Sequence, residues 1–340
     1  MSTIKDIAQK AGVSIGTVSN FFNNPDLLNT QTYDRIQETI IELNYHPHSA
    51  ARALKSHQTN KIGIIPRISA EDNKRQNSSD HVFFDFLSAV NTAAAERGYG
   101  ILMDAAMEER DELSKYKQMI GEKQIDGFVL LGTSQDDPRV ELLLKNKFPF
   151  VTFGRTGSQT RHAWVDVDGA KGISEAVQYL ATNGHQKIGF ITPPTDLFCS
   201  VVRKESFLKA MQDQDLPVDP RFIIEGDFTE AAGIQAMQQL LSQETRPSAV
   251  LMPNDVSAFG AMKSMQLHKL LPGKDISIIG FDNIPLADYW HPSLTTIAQP
   301  TRSIGYMVGN VLIDILSGNE RLPQILIKPE LIIRESTAAI

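Results

Sequence analysis

The sequence is poor in several features that would assign it to familiar classes. One cysteine, Cys199, excludes an internal disulfide and fits a reducing compartment. No stretch approaches the roughly 20 consecutive apolar residues that a spanning helix needs, so no membrane partner is expected. The chain opens on a polar helical pattern instead of an apolar secretory segment, and a cytoplasmic location is the expectation. There is no P-loop, no nucleophile elbow and no Cys/His metal cluster, and the eight histidines are scattered. Gly98-Tyr99-Gly100 is an isolated turn, not a dinucleotide fingerprint. His185, between a helix-ending glycine and a strand, reads as structural. No catalytic residue, metal or cofactor is therefore expected. Positive charge is also scarce, with a net −7, which at first argues against a nucleic-acid partner.

What is present begins with composition. A chain of 340 residues, 41% hydrophobic and 21% charged, can bury a sizeable core and suits two or three domains. The charge is unevenly divided. Residues 1–61 carry six Lys or Arg against five Asp or Glu, leaving the acidity to the remainder. A balance of +1 attracts DNA weakly, so binding through this end needs two copies and short-range contacts from amides and hydroxyls.

The first sixty residues have helical periodicity. Ile4, Ile7, Ala8 and Ala11 form one apolar stripe, and Gly12 ends it because glycine takes turn conformations without strain. Ser14 is placed to cap a second helix whose inner face is Val18 with Phe21 or Phe22. Tyr33, Ile36, Ile40 and Leu43 predict a third, with Thr30 as its cap. Two helices about a tight turn at Gly12 make a helix-turn-helix, whose second helix can enter a major groove. Its outward residues, Ser14, Ile15, Gly16, Thr17, Ser19 and Asn20, are mostly small or polar, which permits close approach to bases and phosphates. Pro47 stops the third helix. SAARALKS then predicts a short basic helix, too short to persist alone below about 12–15 residues.

From Lys61 onward, apolar runs such as KIGIIP, DGFVLLG, HQKIGFIT and ISIIGFD alternate with helical stretches such as GISEAVQYLATNG. That alternation predicts parallel sheets with helices on both faces, an α/β body. Its length favours two doubly wound sheets facing a cleft. RISAEDNKRQNSSDH, 67–81, reads as a polar loop. Ligands of such sheets sit beyond the carboxyl ends of the strands. Asn254-Asp255, Asp282-Asn283, Asp168 and Arg155 each follow a strand, and each could equally cap a helix or fill a turn. Together they present donors and acceptors suited to a hydroxylated small molecule.

TIKDIAQKAGVSIGTVSN and TYDRIQETIIELNYHPHSAARAL resemble the amino-terminal domain of the lactose-repressor/galactose-repressor family of bacterial transcription regulators. FVTFGR, MPNDVSAFGAM, ISIIGFDNIPLADYWHPSLTTIAQP and LIIREST continue the resemblance in order through the body. It implies a headpiece over 1–60 with a hinge helix near 48–56, and an effector and dimerisation domain over 61–340 that is periplasmic-binding-protein-like. The lobes would comprise 61–161 with 293–323, and 162–292 with 324–340. The resemblance further implies base reading by Ile15, Gly16 and Asn20 on a helix opened by Ser14. Thr17 and Ser19 would lie near phosphates with Asn23 beyond. Ala51, Leu54 and Lys55 would sit in the minor groove, Leu54 as the apolar wedge that bends the duplex. Arg203 would grip the effector, Asn254 and Asp282 hydrogen-bond it, and Phe228 stack on it, with Phe83 and Phe84 lining the other lobe. Two departures stand out: Asn20 where many relatives carry arginine, and Ser206 where glycine is usual.

The function expected is a ligand-responsive repressor of carbohydrate-metabolism genes. It would bind a palindromic double-stranded DNA operator as a homodimer, with a sugar, sugar phosphate or nucleobase-like effector. The ending LIIRESTAAI has no heptad tail, which favours a dimer over a tetramer. The competing class is a sugar-binding protein of transport or sensing that does not bind DNA, which the body alone would allow.

Overall fold

The computed structural model describes residues 2–45, 58–66, 80–104, 109–157 and 161–340. The expected hinge helix, with Ala51, Leu54 and Lys55, lies outside the described residues, as does 67–79 of the polar loop. The chain divides into two compact units, Met1–Thr59 and Asn60–Ile340.

The first unit is built from α1 (Ile4–Ala11), α2 (Ile15–Asn23) and α3 (Thr30–Glu42). Thr3 and Asp6 form a reciprocal capping box at the start of α1, which holds the Asp6 carboxyl below its usual range through hydrogen bonds from Thr3. Gly12 ends the helix at φ +62°, a left-handed conformation that side chains resist. Ser14 caps α2, accepting from Thr17 N at 3.0 Å. The cap of α3 is Asn29, which accepts from Thr32 N at 2.8 Å, and Thr30 is the first helical residue. Asn29 has the extended backbone a cap requires, so the preceding amide side chain takes the place expected of the Thr30 hydroxyl. Ile7, Ala8, Ala11, Val18 and Ile36 are buried together, and Phe21 packs its ring on Tyr33 at 4.7 Å.

The second unit holds two six-stranded sheets. The strands are β1 (Lys61–Ile64), β2 (Gly100–Met103), β3 (Gly127–Leu130), β4 (Phe150–Phe153), β5 (Ala163–Val167) and β6 (Ile188–Thr192). They continue as β7 (Ile223–Glu225), β8 (Ala249–Leu251), β9 (Ser277–Asp282), β10 (Thr295–Ala298), β11 (Gln324–Ile327) and β12 (Glu330–Ile332). The first sheet, in the order β11-β5-β4-β3-β1-β2, is parallel throughout. The second, β12-β10-β9-β8-β6-β7, is parallel except where β12 runs against β10. The apolar runs that predicted covered strands are buried along their length in β3, β6 and β8.

The chain passes between lobes three times. Crossings expected near 161, 292 and 323 fall a few residues later, after β5, β10 and β11. Each of those strands hydrogen-bonds into the sheet that it would otherwise have left. Helices Asp80–Glu96 and Thr301–Leu316 pack against each other beside the first sheet, where Gly305 lies against the Phe86 carbonyl. In the other lobe, helices Glu230–Leu241 and Asp255–Leu267 approach so closely at Gly233 and Gly260 that a side chain there would meet backbone. His185 is structural: its ring nitrogens bond Ser248 Oγ at 2.9 Å and Ala338 O at 3.0 Å.

Candidate functional site

A cavity of about 340 Å³ lies where the carboxyl ends of the two sheets meet. Its wall takes residues that end or follow β3, β4, β5, β6, β7, β8, β9 and β10. That is where an open α/β sheet places a ligand, because loops and helix starts there aim side chains and backbone amides at one point.

Five of the six expected effector residues line it: Phe83, Arg203, Phe228, Asn254 and Asp282. Phe84 does not. It is 59% exposed, because adjacent helical residues point about 100° apart and Phe83 takes the inward direction. Phe86, three residues beyond Phe83, faces inward too and stacks on Phe153 at 5.0 Å. The polar groups are tightly held. Arg203 is 7% exposed. Its guanidinium carbon lies 3.5 Å from the centroid of the Phe281 ring, and Nη1 donates to Pro253 O at 2.9 Å. Nε is buried and has no hydrogen-bond partner among the described residues, leaving a donor at the cavity wall. Asn254 caps helix Asp255–Leu267, accepting from Ser257 N at 2.9 Å while Nδ2 donates to Phe228 O at 3.0 Å. Ser206, the substitution for glycine, leaves its helix intact and donates to Ala170 O at 2.6 Å.

Asp282 ends β9 at φ +110°, and Asn283 follows at +57°, two non-glycine residues in sparsely populated backbone. Arg334 holds this turn through Asn283 Oδ1 at 2.9 Å. Burial pushes the Asp282 carboxyl up to about 7, opposed by Arg203 and Gln299. Asp255, behind it, is also pushed up, by burial and then by the neighbouring Asp282 charge. The Asp255 carboxylate accepts from Ile284 N at 2.8 Å and from the Thr296 hydroxyl.

Arg155, noted as a strand-end residue, joins the opposite wall and pairs with Asp166 at 2.8 Å. Asp168 instead caps a helix, accepting from Lys171 N at 3.0 Å. Phe153, Asp166, Phe198, Cys199 and Gln299 also line the cavity. The strand-end rule would have found Gln299, which follows β10. Phe198 and Cys199 open a helix and carry no such signal.

On the first unit, α2 presents Ser14, Ile15 and Gly16 outward, with Ile15 51% exposed, while Thr17, Ser19 and Asn20 are half-buried. The Ser14 and Thr17 hydroxyls lie 2.8 Å apart. Asn23 is the last residue of α2.

A helix-turn-helix unit joined to a two-lobed body with a cleft cavity defines a ligand-responsive DNA-binding regulator. Residues 3–48 match the bacterial regulatory proteins of the lacI family, and residues 177–337 match a periplasmic binding protein-like domain. The chain is 33% identical to the HTH-type transcriptional repressor PurR of Escherichia coli O139:H28, over 99% of this chain and 97% of that one. A regulatory protein of the LacI family from Chloroflexus aggregans is 35% identical, covering 82% of this chain and 99% of its own, with a TM-score of 0.73. The lac repressor dimer bound to operator and the anti-inducer ONPF shares the fold, with a TM-score of 0.88 over 99% of each chain at 24% identity. The chain belongs to the lacI family of bacterial regulatory proteins.

Proposed function

We propose that this regulator represses carbohydrate-metabolism genes from the cytoplasm, binding a near-palindromic operator as a homodimer whose two headpieces read two half-sites. The hinge assigned to 48–56 completes each headpiece, and catalysis has no part in the function. Ser14, Ile15, Gly16, Thr17, Ser19, Asn20 and Asn23 form the major-groove face, and Ala51, Leu54 and Lys55 the minor-groove contact. The effector occupies the cleft cavity, held by Arg203, Asn254 and Asp282 and stacked against Phe83 and Phe228.

The observation that supports this most is the cavity itself. It joins a buried Arg203 donor that no described residue engages, a tunable Asp282 carboxyl and aromatic walls in one space between two lobes. A ligand touching both lobes favours one lobe arrangement, and by linkage changes operator affinity by the factor by which operator changes its own. The cellobiose complex of the transcriptional regulator CelR, 25% identical over 99% of this chain, supports a sugar as one candidate. Thermal-shift screening of sugars, sugar phosphates and nucleobases tests the assignment. A true effector at 100 times its Kd stabilises by about 2.7 kcal/mol, and the gain disappears in Arg203→Ala. Stabilisation that survives that substitution places the ligand elsewhere.

A further inference from the structure

The loop after β3 reaches across to the opposite lobe. Phe198 N donates to Thr133 O at 2.9 Å, and Ser134 pairs with Leu197 in an isolated antiparallel bridge. Thr133 follows β3 of the first sheet, and Leu197 follows β6 of the second. The three chain crossings leave from β5, β10 and β11, which lie toward the other edge of each sheet order. The bridge is therefore a second connection between the lobes, made by hydrogen bonds instead of covalent chain. Gly132, Thr133, Leu197 and Phe198 all line the cavity, so the bridge forms part of its wall.

The loop is held rigidly from behind. Arg139, 1% exposed, uses all five of its N–H donors. Nε and Nη2 fork onto the Asp137 carboxylate at 2.9 and 2.6 Å, and Nη1 bonds Glu112 Oε1 at 2.9 Å. The remaining two donors hold the carbonyls of Leu131 at 3.1 Å and Gly132 at 2.9 Å. Ser134 N donates back to Asp137 Oδ2 at 3.2 Å, and the Thr133 hydroxyl to Arg155 O at 2.6 Å. Burial works against the Asp137 carboxylate, but Arg139 outweighs it and the carboxyl is held below its usual range. A guanidinium with no donor left over fixes the loop carbonyls in one place, so the Thr133 oxygen is presented to the other lobe without an ordering cost.

We propose that the Thr133–Phe198 bridge is an interlobe latch that keeps the cavity shut, and that Arg139 is its positioning residue. Regulation by a ligand in that cavity would pass through this latch. The latch is made by the chain's own groups, so its test uses no ligand.

Cys199 supplies the reporter, being the one cysteine in the sequence and part of the cavity wall. The thiol is partly covered in that wall and pushed up by burial, so its rate with dithionitrobenzoate reads how far the cavity mouth opens. Phe198 is the first residue of its helix, where the N–H has no helical partner and proline is tolerated. Leu197 already has the extended backbone that proline requires before it, at φ −83° and ψ 137°. Phe198→Pro and Phe198→Ala both remove the ring, and only the first removes the latch donor. In the full-length protein, Cys199 of Phe198→Pro should react about five-fold faster than that of Phe198→Ala, the factor expected for one net hydrogen bond. Arg139→Lys keeps the charge but loses the fork, and should speed Cys199 several-fold over wild type, more than its melting temperature shift accounts for. Equal rates in the two Phe198 variants overturn the latch, and a wild-type rate in Arg139→Lys overturns the positioning role. If Phe198→Pro does not fold, the Arg139→Lys rate decides both.

Discussion

The Asp282 carboxylate accepts a hydrogen bond from the Gln299 side-chain amide. Asp282 ends β9 in the cavity wall, whereas Gln299 lies on the stretch that leaves β10 for helix Thr301–Leu316 of the other lobe. A ligand donor that engages this carboxylate competes with a residue on an interlobe crossing. A ligand bound there would therefore act on the same oxygen atom that an interlobe crossing engages.

The same carboxyl predicts a pH dependence. Burial raises Asp282 to about 7 and also raises Asp255, whereas both ionise near pH 4 in the unfolded chain. Between those values the folded protein keeps protons that the unfolded chain has released, so stability falls as pH rises from about 4 through 7. Asp282→Asn removes its share of that slope. The melting temperature of the variant should drop less between pH 5 and pH 8 than that of wild type, and parallel curves would count against the raised carboxyl.

Asn20 carries a prediction about sequence preference. Asparagine pairs with adenine N6 and N7, arginine with guanine O6 and N7, each worth about 1–3 kcal/mol of discrimination. Binding-site selection with Asn20→Arg should exchange an adenine for a guanine at one position of each half-site. An unchanged selected sequence would remove Asn20 from the base-reading set.

Gly16 separates stability from function. A methyl added there meets only Ser14 Oγ, at 3.5 Å, so the headpiece has room for alanine. Gly16→Ala should therefore stabilise the headpiece by about 0.4–1 kcal/mol, because alanine at this first-turn position leaves the unfolded chain less conformational freedom to lose than glycine does. It should also weaken operator binding by obstructing close approach. Calorimetric melting and fluorescence anisotropy read the two effects, and tighter binding alongside the higher melting temperature would contradict a close-approach role.

Gly233 and Gly260 make the opposite prediction. Alanine at either would collide with backbone of the facing helix, at Ser257 or Glu230. Each substitution should cost about 1–3 kcal/mol in urea unfolding of the body, as overpacking does elsewhere. A wild-type midpoint would mean that the helices separate more freely than their contact implies.

Much of this was legible in the chain, and the limits have physical causes. Apolar periodicity of 3.6 gave the headpiece helices, and continuous apolar runs gave the covered strands, since those patterns follow from which faces are buried. The cap of α3 shifted by one residue because Asn29 and Thr30 are both good caps and backbone geometry decides between them. Crossing positions came out early because β5, β10 and β11 are short, and sheet membership is a long-range pairing. Phe84 and Phe83 look alike in sequence, and helical phase alone separates them. Arg139 reads as an ordinary charged residue until Glu112, 27 positions earlier, folds against it.

The most direct test is an operator titration by fluorescence anisotropy, at two salt concentrations, with and without a metabolite that stabilises the body. Salt-sensitive specific binding whose Kd moves at least five-fold with the metabolite, and stays fixed with it in Arg203→Ala, is the predicted result. A metabolite that stabilises the wild-type body yet leaves its operator Kd unchanged would contradict the coupling of cavity to DNA.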